Sequence, residues 1–88
     1  MPRRIYEPAA GTGGIVYPLQ QSGRFVVASD IFDYEAVPGC ATSDYLTTPL
    51  LRQVEGIITN PPFRLALKFL IKALSEVGYV AFLVRTTS

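Results

Sequence analysis

At 88 residues the chain has room for one small domain, and its net charge of +1 provides no strong field for a nucleic acid or a membrane surface. Histidine is absent and Cys40 stands alone, which excludes Ser-His-Asp, Cys-His and His-metal chemistry, a disulfide framework and a cysteine zinc site; Cys40 reads as an inert thiol. Hydrophobic residues make up 49% and charged residues only 17%, against about 25% in ordinary domains, so some of the surface is expected to be covered. The basic start Met1-Pro2-Arg3-Arg4 lacks the apolar stretch of a signal peptide, and no apolar run reaches the roughly 20 residues of a membrane span. A cytoplasmic protein with no membrane partner is the expectation.

In chain order, Ile5-Tyr6-Glu7 reads as a short strand stopped by Pro8, and Ala9 to Gly14 as a small-residue turn. Gly14 to Ser22 follows as a helix with Ile15, Val16 and Leu19 on one side, ended by Gly23; Pro18 fits only in its first turn, which moves the start toward Tyr17. Arg24 to Ser29 is a second strand with Asp30 at its carboxyl end. Ile31 to Leu46 carries little signal beyond a turn at Pro38-Gly39. Gly56 to Thr59 is a third strand, and Leu65 to Val77 the strongest helix, with Leu67, Leu70, Ile71 and Leu74 at i, i+3, i+4 and i+7 and Lys68 and Lys72 on the other face. Gly78 caps it, and Tyr79 to Val84 is an apolar strand without alternation, as expected when both faces are covered. The alternation of strands and helices predicts one α/β domain over residues 1–88, a Rossmann-like parallel sheet with flanking helices.

Two loops carry the chemistry. Asn60-Pro61-Pro62-Phe63 stands directly behind the third strand; neither proline can donate to a sheet ladder, and Pro61 holds Asn60 extended. A stiff loop with an amide at one end and an aromatic ring at the other is a candidate active-site segment; the plain alternative is a proline-rich turn with Phe63 in the core. In Glu7-Pro8-Ala9-Ala10-Gly11-Thr12-Gly13-Gly14, Gly11 and Gly13 let backbone come close to a ligand. This is not a phosphate-binding P-loop, because no Gly-Lys-Ser/Thr follows. Asp30, about twenty residues on, is placed to accept from both hydroxyls of a ribose, or simply caps a turn. Asp44 can take an adenine amino group with its neighbours covering the base, or is a solvated loop carboxylate. Glu7 belongs at the amino-acid end of such a ligand, or is a structural acid bonded to the glycine turn. Arg64, Lys68 and Lys72 suit either phosphate contact or a solvated helix face. Arg85 is a candidate for substrate contact, and Thr86-Thr87-Ser88 can cap a further helix.

On these two loops the chain resembles the class I S-adenosylmethionine-dependent methyltransferases, and more narrowly the amino-methyltransferases that modify adenine N6 in DNA. The resemblance runs from about Ile5 to Arg85, and its specific part is the Asn-Pro-Pro-Phe loop. It implies that Glu7, Ala9, Gly11 and Gly13 bind the methionine part of S-adenosylmethionine, that Asp30 with Ile31 meets the ribose, and that Asp44 with Tyr45 meets the cofactor adenine. It makes Asn60, Pro61, Pro62 and Phe63 the catalytic loop, and requires no metal. The implied partner is DNA, or RNA if the target is guanine N2 in ribosomal RNA; a cofactor-binding remnant without turnover is the reading from another class. The resemblance also implies a longer sheet, closed by an antiparallel hairpin that this chain lacks, so the 88 residues read as a core fragment. In the family's strand order Tyr79 to Val84 becomes an exposed edge, from which self-association is expected.

Overall fold

The computed structural model describes residues 2–50 and 53–83. In chain order these form strand β1 (Arg4–Glu7), helix α1 (Val16–Gln21), strands β2 (Phe25–Asp30), β3 (Ala41–Thr42) and β4 (Gly56–Thr59), helix α2 (Ala66–Glu76) and strand β5 (Tyr79–Phe82). Short 3₁₀ turns lie at Tyr45–Thr47 and Phe63–Leu65. The strands pair in parallel throughout, in the order β3-β2-β1-β4-β5. This is the α/β, Rossmann-like sheet that the strand-helix alternation predicts.

Register sorts the core onto two faces. Tyr6 pairs with Val27 on one side and Ile57 on the other, so all three point the same way. There Tyr6 and Ile57 pack with Tyr45, Phe69 and Ala73, and α2 covers that face. Val26 and Ala28 point the opposite way and pack with Ala10, Val16 and Val37 beneath α1. The short α1 starts one residue before the expected Tyr17, with Pro18 third, where its missing N–H is no loss. It ends where Gly23 N–H reaches Gln20 O at 3.0 Å and Arg24 N–H reaches Leu19 O at 3.1 Å.

Helix α2 corrects one expectation. Its apolar residues form two overlapping stripes, since Ala66, Phe69, Leu70, Ala73 and Val77 repeat at helical spacing as well as Leu67, Leu70, Ile71 and Leu74. The first stripe faces the sheet, with Phe69 and Ala73 buried, while Leu67, Ile71 and Leu74 are 68%, 62% and 62% exposed. What fixes the rotation is polar. Tyr45 Oη donates to Glu76 Oε1 at 2.6 Å, and Lys72 Nζ donates to Glu76 Oε2 at 2.5 Å and to Thr48 O at 3.0 Å. The same ammonium sits 4.1 Å from the centroid of the Tyr45 ring, so Lys72 is a packing residue and Lys68 alone of the pair is free on the surface.

Strand β5 lies at the sheet edge, as expected; Val84, Arg85 and Thr86-Thr87-Ser88 fall outside the described residues. Strand β3 at the other edge was not predicted. It is two residues long and is held by pairing with Ser29 and Asp30 rather than by any pattern of its own. Among the described residues no helix is long and apolar enough to cross a membrane.

Candidate functional site

After β1 the chain crosses by α1 to β2, and after β4 it crosses by α2 to β5 on the other face. The two crossovers diverge and leave a crevice between the carboxyl ends of β1 and β4, the position where open α/β sheets receive ligands. A cleft of about 630 Å³ opens there. Glu7, Ala9, Gly11, Asp30, Ile31, Asp44, Tyr45, Asn60, Pro61 and Pro62, drawn from four separate segments of the chain, all line it. A second hollow, about 740 Å³, lies around Arg3, Arg4, Phe25 and Glu55. It sits at the amino ends of the strands, and the predicted site residues are absent from it.

The glycine turn is closed by its own hydrogen bonds. Ala10 N–H donates to Ser29 O at 2.9 Å, Gly13 N–H to Ala10 O at 2.9 Å, and Gly11 N–H to Asp30 Oδ2 at 2.9 Å. Gly11 and Gly13 differ in what they do. At Gly11, φ is +55° and an added Cβ would meet nothing within 4 Å, which leaves cleft space beside the backbone. At Gly13, φ is +96° and an added Cβ would lie 2.3 Å from the Tyr17 ring, so this glycine serves close packing against α1 and does not line the cleft. Tyr17 Oη in turn donates to Ala36 O.

Asp30, buried at the end of β2, accepts from Gly11 N–H and, through Oδ1, from Phe32 N–H at 3.0 Å. Each oxygen keeps a lone pair for a ligand. Asp44 caps the following 3₁₀ turn, its Oδ1 accepting from Leu46 N–H at 3.0 Å. Tyr45 reaches the cleft wall, but its ring is 2% exposed and belongs to the core, 5.0 Å from Phe69 and edge-on to Tyr6 at 5.8 Å. Burial, with Glu76 beside it, pushes the Tyr45 hydroxyl well above the ordinary tyrosine range.

Glu7 is 1% exposed at the end of β1. Burial carries its carboxyl up to about 7, with the negative charge of Asp30 adding to the shift. Thr59 Oγ1, Ala9 N–H and Asn60 N–H favour the charged form. Of these only Ala9 N–H completes a hydrogen bond, at 2.8 Å to Oε1; Thr59 Oγ1 is buried without a partner among the described residues.

Asn60 projects from the end of β4, next to Glu7 across the crevice. Pro61 is buried, and Pro62, at φ −54° and ψ 134°, starts the 3₁₀ turn into α2, its carbonyl accepting from Leu65 N–H at 2.9 Å. The Pro61 carbonyl accepts no backbone hydrogen bond among the described residues. Phe63 is 69% exposed and stands one residue beyond the cleft lining rather than in the core.

Sequence reasoning missed Phe32 and Tyr34. Both are exposed, line the cleft beyond Asp30 and pack together at 4.9 Å between ring centroids. The signal was present as Ile31-Phe32-Asp33-Tyr34, aromatic residues directly behind a strand-end acid. No protein-family profile matches the chain, and no curated protein matches it.

Proposed function

We propose that this domain is an S-adenosylmethionine-dependent methyltransferase acting on an exocyclic amino nitrogen, with adenine N6 in DNA as the leading target. The observation that carries the proposal is the meeting of Glu7, Asp30 and Asp44 with Asn60-Pro61-Pro62 in one cleft at the β1/β4 divergence. The residues fit the cofactor. The cleft volume is within the 300–1,000 Å³ usual for small-molecule sites. Its lining has carboxylates for hydroxyl, amino and cationic groups, apolar Ile31 and Phe32 for a base, and open space at Gly11.

When bound, the cofactor supplies an activated methyl group on a positively charged sulfur. The chain's own part is to hold and orient. Glu7 faces the cationic amino-acid end, Asp30 the ribose hydroxyls and Asp44 the adenine amino group. A purine amino nitrogen is a weak nucleophile because its lone pair is delocalised into the ring. The Asn60 side-chain oxygen and the Pro61 carbonyl accept hydrogen bonds from its NH₂, which favours a tetrahedral nitrogen with a localised lone pair. Exposed Phe63 stacks on a base swung out of its duplex. The prolines fix these acceptors before substrate arrives.

Calorimetric titration with S-adenosylmethionine, beside methyl-transfer assays on adenine-containing DNA and guanine-containing ribosomal RNA, tests the proposal. Binding with transfer to DNA is expected. Transfer to RNA guanine alone moves the substrate, binding without transfer leaves a cofactor-binding remnant, and a folded sample that does neither removes the cofactor assignment.

A further inference from the structure

Among the described residues the cleft lining holds three carboxyl groups, Glu7, Asp30 and Asp44, and no lysine or arginine. Asp30 is held by two backbone N–H groups and Asp44 by one. Glu7 is the most buried of the three and accepts only from Ala9 N–H. Close to its carboxyl is the Thr59 hydroxyl, which is fully buried and completes no hydrogen bond among the described residues. A buried hydroxyl without a partner is destabilising, because its lost hydration is not replaced, and such a group in a folded protein calls for a reason. The ion pair Lys72–Glu76 lies on α2 outside the lining and brings no positive charge to Glu7.

We propose that Glu7 and Thr59 form a proton-exchanging seat for the positive charge of the ligand. In mildly acidic solution Glu7 of the free protein holds a proton; an entering cation displaces it to solvent, and the Thr59 hydroxyl turns to donate to the carboxylate that remains. Charge balances, since one positive charge enters the cleft as one proton leaves it. The inference rests on the methyl-donor reading, which supplies the cation. In it Thr59 is a positioning residue that acts through Glu7.

The surroundings of Glu7 agree. Its carboxyl is poised at about 7 by burial, and among the described residues the ionisable groups that sense it are Asp30 on β2, Tyr6 on β1 and Cys40 before β3, none of them cationic. Ligand and proton therefore compete. Affinity rises with pH, by about tenfold from pH 6 to pH 8, and the protons released fall from about 0.9 to about 0.1 over the same range. The tenfold rise is that of a ligand of fixed charge; the ligand's own amino group titrates near 7.7–8.0 and stays protonated at pH 6, so the count there reports on Glu7.

Calorimetric titration of the intact chain with S-adenosylmethionine, in buffers of different ionisation enthalpy at pH 6, 7 and 8, counts these protons. Wild type is expected to release close to one at pH 6, and Glu7→Gln to lose both that release and the pH dependence. Thr59→Val is expected to bind about tenfold more weakly at pH 8, with Thr59→Ser restoring the affinity. Binding at all three pH values with no wild-type proton release overturns the seat and leaves the cofactor reading standing. Absence of binding at every pH overturns the cofactor reading and the seat with it. The wild-type count decides the matter even if Glu7→Gln does not fold.

Discussion

Tyr45 Oη donates a 2.6 Å hydrogen bond to Glu76 Oε1, tying the turn that carries Asp44 to the last residue of α2. One wall of the cleft is thereby anchored to a helix it does not neighbour in sequence. Tyr45→Phe keeps the ring and removes the bond to a charged acceptor. A loss of about 1–3 kcal/mol in urea unfolding is expected, with cofactor affinity within about twofold of wild type. A large loss of affinity at unchanged stability would show that the hydroxyl serves the ligand instead.

Asn60→Ala removes the side-chain acceptor from the Asn-Pro-Pro-Phe loop while sparing Glu7, Asp30 and the glycine turn. Methyl transfer is expected to fall about 100-fold or more, with calorimetric affinity for S-adenosylmethionine nearly intact. Equal losses in both measurements would remove Asn60 from its proposed role.

Glu7 makes stability depend on pH. Its carboxyl moves from its ordinary 4.5 to about 7 in the fold, so between these values the folded state holds a proton that the unfolded chain has lost. The stabilising contribution is complete below pH 4.5 and disappears as pH rises through 7, on the order of 3 kcal/mol in all. The urea midpoint is expected to drop between pH 5 and pH 8 in wild type and to stay flatter in Glu7→Gln. Parallel profiles for the two proteins would refute the shift.

The two glycines of the turn separate packing from ligand access. Gly13→Ala drives a Cβ into the Tyr17 ring and is expected to cost more than about 2 kcal/mol in unfolding experiments. Gly11→Ala meets open space, and only its positive φ is strained, at about 1 kcal/mol. Its main effect is expected in weaker cofactor binding. The opposite ranking in stability would contradict the distinction.

Strand β5 lies at the sheet edge, and α2 beside it exposes Leu67, Ile71 and Leu74. With no lysine or proline in β5 to block pairing, concentration-dependent self-association through this edge is expected by light scattering. Ile71→Lys with Leu74→Lys is expected to raise the monomer fraction. A monodisperse wild-type monomer at high concentration counts against the interface.

Strands β1, β2, β4 and β5 were legible because each is a short apolar run bounded by glycine, proline or an acid. The convergence of Glu7, Asp30 and Asn60 then followed from parallel pairing, which brings every strand's carboxyl end to one side of the sheet. The working face of α2 was not legible, since its two stripes share Leu70 and periodicity cannot choose between them. The choice is made by Tyr45 and Lys72, whose partners Glu76 and Thr48 are 31 and 24 residues distant. Tyr45 itself read as a cover for a ligand base, because nothing local signals that an aromatic residue in a polar loop turns inward. Phe32 and Tyr34 were lost in a segment with no regular structure.

The glycine turn is fixed at both ends before any ligand arrives: to β2 through Ser29 and Asp30, and to α1 through Gly13 and Tyr17. Its conformational entropy is surrendered during folding, so little remains to be lost on capture. Residues 10–13 should accordingly show nearly the same amide hydrogen exchange with and without ligand. Any change should fall instead on Phe32 and Tyr34, the exposed aromatic rim, which leaves the turn as a preformed floor and the rim as the part free to adjust.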